Sequence, residues 1–123
     1  MATALIVLQV VIALGIFNVW ILRSAKATEW RGGDATTMQQ EFAVYGLPSW
    51  SVQVVGALKL LCAAGLIIGI WVPGVTLPAA AGLAVLMVGA IAMHIKVKDP
   101  LKKSLPALTM LVMCLLVAGS YIA

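Results

Sequence analysis

Four stretches of this chain stay apolar for about twenty residues each, and that pattern limits the fold more than any other feature. They are Ala2–Leu22, Val52–Val72, Thr76–Ile95 and Leu105–Ala123, and Lys59 is the only Lys, Arg, Asp or Glu within them. A helix needs about 20 apolar residues to cross about 30 Å of hydrocarbon. Lipid offers no partner for backbone N–H and C=O groups, so each run must satisfy its own, as a helix does. None of the runs alternates apolar with polar residues, which argues against a barrel of strands. Hydrophobic residues make up 63% of the chain and charged residues 10%, against about 45–50% and about 25% in a soluble domain. Composition thus excludes a soluble enzyme, a disordered chain and a nucleic-acid-binding domain. The expected architecture is all-α: one transmembrane domain over residues 1–123, with four helices in one bundle in a lipid bilayer.

The spaces between the runs carry the punctuation. Pro73-Gly74 is expected to break the chain between the second and third spans, and Asp99-Pro100 between the third and fourth. Thr76 and Ser104 precede Pro78 and Pro106 and are read as helix caps, with proline in the first turn. Ala25-Lys26-Ala27 resembles a signal-peptide cleavage site. The first run exceeds the usual apolar length of about 7–15 residues and lacks a basic start, so it is read as a permanent helix. Seven of the eight Lys and Arg residues lie in the 23–51 and 96–104 segments, which four spans place on the same side. The positive-inside rule then puts those loops in the cytoplasm and both termini outside the cell membrane. Trp20, Trp30, Trp50 and Trp71 stand near span ends, where an aromatic belt is expected. Gly65-x-x-x-Gly69, with Gly82 and Gly89, lets helices approach closely, either within the bundle or across a homodimer. Cys62 and Cys114 stand alone in apolar runs and read as small hydrophobes.

Polar groups within lipid are costly and usually face the bundle interior. Asn18 lies about 7 Å and Lys59 about 12 Å from the cytoplasmic ends of their helices, at about 1.5 Å per residue. His94 is in the last turn of the third span, so these three share the cytoplasmic half. Gln9 falls on the opposite helix face from Asn18 and is set aside. Thr109 and Ser120 are expected to bond back to their own helix. The 23–51 connection is far longer than a bundle link needs. Within it, Met38, Phe42 and Tyr45 recur at helical spacing, which predicts a short interfacial helix across the cytoplasmic mouth. Glu41 and Tyr45 on that helix can reach toward Lys59 and His94. Lys59 calls for an ion pair, with Glu41 or Asp99, unless it snorkels to the interface. His94 either favours the negative end of its helix or carries protons, since imidazole titrates near neutrality. Asn18 either bonds a neighbouring helix or contacts a ligand. One histidine and four scattered acids offer no metal-ligand spacing, and no cofactor motif is present.

The segment Glu41-Phe42-Ala43-Val44-Tyr45-Gly46-Leu47-Pro48 is followed by Val55-Gly56-Ala57-Leu58-Lys59-Leu60-Leu61-Cys62-Ala63-Ala64-Gly65-Leu66, then by Gly89-Ala90-Ile91-Ala92-Met93-His94, Asp99-Pro100 and Pro106-Ala107. In this order the chain resembles the DoxX-like family of small four-helix membrane proteins. The resemblance covers nearly the whole chain and is strongest from Glu41 to Ala107. It matches at Glu41, His94 and Asp99 and departs at Lys59, a position that is often acidic in that family. It implies the four-helix fold. For function it points several ways: some relatives take part in thiosulfate:quinone oxidoreduction or membrane redox complexes, and a distant animal relative assists receptor assembly.

Two readings of function follow. In the first, a small hydrophobic or quinone-like molecule enters from the bilayer. Its polar end meets Asn18, Tyr45, Lys59 and Asp99, with His94 and Glu41 as candidate acid/base residues. In the second, the bundle is a non-catalytic assembly or interaction subunit of a partner membrane protein, and its polar residues are structural. A small multidrug transporter of similar length would carry an acidic residue in its first helix, and this chain has none there.

Overall fold

A computed structural model of the protein describes residues 2–23 and 31–122. Lys26, Trp30 and the cleavage-like 25–27 segment lie outside the described residues. Among the described residues there are five α-helices and no strands. Helix α1 is Ala2–Phe17, and it continues as a π-helical turn over Asn18–Leu22. That turn is closed by Arg23 N–H donating to the carbonyl of Asn18 at 2.9 Å. Helix α2 is Met38–Val44, α3 is Ser51–Ile68, α4 is Pro73–Lys96 and α5 is Leu105–Ile122. A 3₁₀ turn, Leu101–Ser104, leads into α5. Four helical stretches are long and apolar enough to cross a bilayer: Thr3–Leu22, Ser51–Ile68, Pro73–Lys96 and Leu101–Tyr121. The chain is a multi-pass membrane protein, and the bilayer is its solvent.

Two punctuation marks act differently from their sequence reading. Pro73 does not break the chain. It occupies the first turn of α4, where the missing N–H costs nothing and the fixed φ suits a helix start. The turn between spans instead falls at 69–71. Thr76 therefore lies inside α4 and caps nothing. It is fully buried, and its hydroxyl has no hydrogen-bond partner among the described residues. The short helix α2 does have a capping residue: Thr37 Oγ1 accepts from Gln40 N–H at 3.1 Å.

Helix α4 is central, packing against α3 on one side and α5 on the other, while α3 also carries α1. Helices α1 and α5 meet more sparsely. Ile12, Leu66, Leu83, Cys114 and Val117 form the fully buried core. The glycine pattern serves this packing. A side chain at Gly65 would start 2.9 Å from Cβ of Ala79, and one at Gly82 would start 3.2 Å from Sγ of Cys62, so the two glycines let side chains of the facing helix seat against the α3 and α4 backbones. The outward faces are apolar, with Leu61, Trp71 and Ile95 all more than two-thirds exposed to the surroundings. Gln9 is buried and donates from Nε2 to the carbonyl of Leu66 at 2.8 Å, joining α1 to α3. Thr109 and Ser120 bond back to the carbonyls of Leu105 and Val117 in their own helix.

Candidate functional site

Helix α2 lies across one end of the bundle as a lid. Its spacing decides which side chains turn inward: Met38, Phe42 and Tyr45 are all buried and pack on Trp20, Val52, Val55, Met93 and Val97. Gln39 and Gln40 face outward. Glu41 does not, being buried although it carries a charge. Trp20 is half-buried and takes part in this packing. Its ring lies on Gly56, meets Phe42 edge-on at 5.9 Å, and sits 5.2 Å from the Lys59 ammonium. Among the described residues, Trp50 and Trp71 are the exposed tryptophans, at 64% and 76%.

Behind the lid a polar network runs from α2 to the end of α4. The Glu41 carboxylate accepts from Gly32 N–H at 2.8 Å and from the Tyr45 hydroxyl at 2.6 Å, both at Oε2. Its other oxygen faces Arg31 Nη1 at 3.4 Å, in a pair only 4% and 10% exposed. Arg31 also donates from Nη2 to the carbonyl of Arg23 at 2.5 Å, tying the loop to the end of the first span. The Tyr45 oxygen stands 3.5 Å from Nε2 of His94. Nδ1 of His94 lies 2.7 Å from Oδ2 of Asp99. Oδ1 of Asp99 accepts from Gly33 N–H at 3.0 Å and is 3.9 Å from the Lys103 ammonium. Lys103 donates to the carbonyl of Gly33 at 2.6 Å, and Lys96 donates to the carbonyl of Tyr45 at 2.8 Å, so both pin the loop from the bundle side.

Local backbone geometry places the carboxylate of Asp99 beside His94. Helix α4 ends with Lys98 in the left-handed region, at φ 59°. Asp99 N–H then donates to the carbonyl of His94 at 3.0 Å, and Lys98 N–H to that of Ile95 at 3.0 Å. This pair of bonds is a Schellman motif, which normally has glycine at the left-handed position. The chain turns sharply enough to fold the Asp99 side chain back onto the imidazole one turn below. Gly33 also takes a positive φ, 53°, which exposes its N–H toward Asp99.

The electrostatics follow from burial and partners. Burial pushes the Tyr45 phenol well above its usual value, and the hydrogen bond to Glu41 pushes it further the same way. Asp99 responds oppositely. Burial would raise it, but the hydrogen bonds from His94 and Gly33 and the nearby charges of Lys103 and His94 hold it below the usual carboxylate range.

Beneath the network lies a cavity of about 730 Å³, walled by apolar side chains of α1, α4 and α5 such as Ile16, Met87 and Met110. Glu41, Tyr45, Lys59 and His94 line it together with Asn18, Arg31 and Lys103. Five of the six candidate residues thus share one cavity. Asp99 is not among the lining residues and stands behind His94 as its partner. The ion pair expected for Lys59 does not form among the described residues. Glu41 is engaged by Arg31, and Asp99 by His94 and Lys103, while the ammonium of Lys59 lies over Trp20. Sequence reasoning took Arg31 and Lys103 only as topology signals and missed Gly32 and Gly33. The available signal was the adjacent glycine pair, which marks a loop able to turn its N–H groups inward.

A profile of the DoxX-like family matches residues 7–119. That range is most of the chain, and the protein belongs to the DoxX-like family. No curated protein and no solved structure matches it.

Proposed function

We propose that this DoxX-like protein binds a small hydrophobic, quinone-like molecule in the cavity under the lid, with His94 as its acid/base group. The observation that carries the reading is the composition of that cavity: apolar walls reaching into the bilayer region, closed at one end by Lys59, His94 and Tyr45. An apolar pocket with a few convergent polar groups is the ordinary form of a small-molecule site. The molecule enters sideways from the lipid between α1 and α5, which meet sparsely, and the π-helical turn carrying Asn18 forms part of the rim. Its polar end meets Lys59 and His94. Asp99 orients the imidazole, and Glu41 acts through Tyr45, whose hydroxyl it holds. The lid and both basic loops face the cytoplasm and the termini face outside, by the distribution of Lys and Arg.

The test uses Lys59→Met and His94→Ala, purified in detergent and solvent-extracted alongside the unaltered protein. This reading expects a hydrophobic molecule in the extract of the unaltered protein and its loss in both variants, with helical content preserved. Equal recovery from all three would refute it. If the unaltered protein is empty and instead brings down a defined membrane partner, the protein is an assembly subunit.

A further inference from the structure

The hydrogen-bond directions around His94 go further than the cavity alone. They deepen the ligand-site reading and rest on it. Asp99 is held below the usual carboxylate range and can only accept, so the proton between it and Nδ1 of His94 belongs to the imidazole. In a neutral ring that leaves Nε2 bare, as an acceptor. The only described side chain at hydrogen-bonding range of Nε2 is Tyr45, at 3.5 Å. Its hydroxyl proton is directed to Glu41, whose Oε2 is nearer, at 2.6 Å. His94 thus lines the cavity with no described donor aimed at its Nε2. A buried acceptor in that state selects a ligand that brings a donor. A quinone carbonyl brings none.

We propose that the cavity receives an apolar molecule through a phenolic hydroxyl, such as the reduced form of a quinone, which donates its hydrogen bond and yields its proton to Nε2 of His94. In that step the phenol O–H bond breaks, an N–H bond forms at Nε2, and the electron pair stays on oxygen as phenolate. Nothing is oxidised or reduced. The imidazolium has a partner on each side, the Asp99 carboxylate at Nδ1 and the free lone pair of the Tyr45 oxygen at Nε2. The phenolate shares the cavity with the ammonium of Lys59, which forms no ion pair among the described residues. An aliphatic alcohol does not suit this base. A phenol, with a pKa of about 10, is a far stronger acid than an aliphatic alcohol.

His94 is the only histidine of the chain, so histidine-selective isotope labelling gives a single imidazole to observe by nitrogen NMR. The probes are para-nonylphenol and its methyl ether, para-nonylanisole, added to the full-length protein in lipid nanodiscs. The free protein should show the Nδ1–H tautomer. The phenol should shift the Nε2 resonance and bind at least about tenfold more tightly than the ether, because a site built around a hydroxyl rejects the analogue that lacks it. That preference should vanish in His94→Phe. An Nε2–H tautomer in the free protein would overturn the proposal. Equal binding of phenol and ether would overturn it while leaving the cavity as a ligand site. If neither probe binds, the ligand-site reading falls with it.

Discussion

Replacing Glu41 with alanine should open the lid without unfolding the bundle. The carboxylate accepts from Gly32 N–H at 2.8 Å, from the Tyr45 hydroxyl at 2.6 Å, and pairs with Arg31 at 3.4 Å. A buried neutral donor left unpaired costs about 1–3 kcal/mol, and breaking a buried ion pair by removing one partner costs about 3–5 kcal/mol. Arg31 retains its bond to the carbonyl of Arg23, and a lid at the end of the bundle can admit water, so the net loss falls at the low end, about 3 kcal/mol. At about 1.4 kcal/mol per factor of ten, that is roughly a hundredfold loss of protection. Hydrogen exchange read by mass spectrometry should show this acceleration in amides of Met38–Val44, with the four spans unchanged. Unaltered exchange in the lid would show that Glu41 does not hold it. Equal acceleration in the spans would show that the lid and the bundle are one cooperative unit, and the reasoning would fail.

Three further outcomes follow from the same geometry. Lys98→Gly should raise stability by about 1 kcal/mol, because it relieves a left-handed residue at φ 59° while keeping the turn that places Asp99; an unchanged melting temperature would count against strain there. Gly65→Leu should lower stability by about 1–3 kcal/mol through its collision with Ala79, whereas Gly74→Ala, with open space around it, should be nearly silent in the same thermal assay. Lid protection should also depend on pH at both extremes. Tyr45 is raised in the folded state, so its contribution is complete below the ordinary phenol value of 10.0 and is lost as pH rises beyond it. Asp99 is lowered, so its contribution is present above the ordinary value of 3.8 and is lost as pH falls below that, and Asp99→Asn should abolish the acid limb.

The long apolar runs made the four spans legible because lipid leaves the backbone no alternative to a helix. The lid was legible for a different reason: Met38, Phe42 and Tyr45 bury one face at helical spacing even in a loop. Asn18, Lys59 and His94 could be grouped from their depth along the spans, which is a one-dimensional quantity that sequence supplies. Pairing could not be read in the same way. Whether Glu41 meets Lys59 or Arg31 depends on where a loop of many residues returns, and the answer came from Gly32 and Gly33 turning their N–H groups inward. The partner of His94 depends on a left-handed turn at Lys98, a residue type that seldom adopts it, so no composition signal announced it. Trp20 illustrates a further limit. A tryptophan near a span end suits both an interfacial belt and an inward stack, and only the missing side chain at Gly56 opposite made room for the second.

If the cavity holds a ligand, blocking it at Gly89 should displace that ligand. Gly89 lines the cavity and has open space where a side chain would start, so Gly89→Phe should fill the pocket without disturbing the helix packing. Native mass spectrometry of the unaltered protein and of Gly89→Phe, each released from the same lipid nanodiscs, compares the bound mass directly. A hydrophobic molecule at one per chain on the unaltered protein, absent from a Gly89→Phe variant of equal thermal stability, is the predicted result. The same adduct on both proteins, or on neither, would contradict the account.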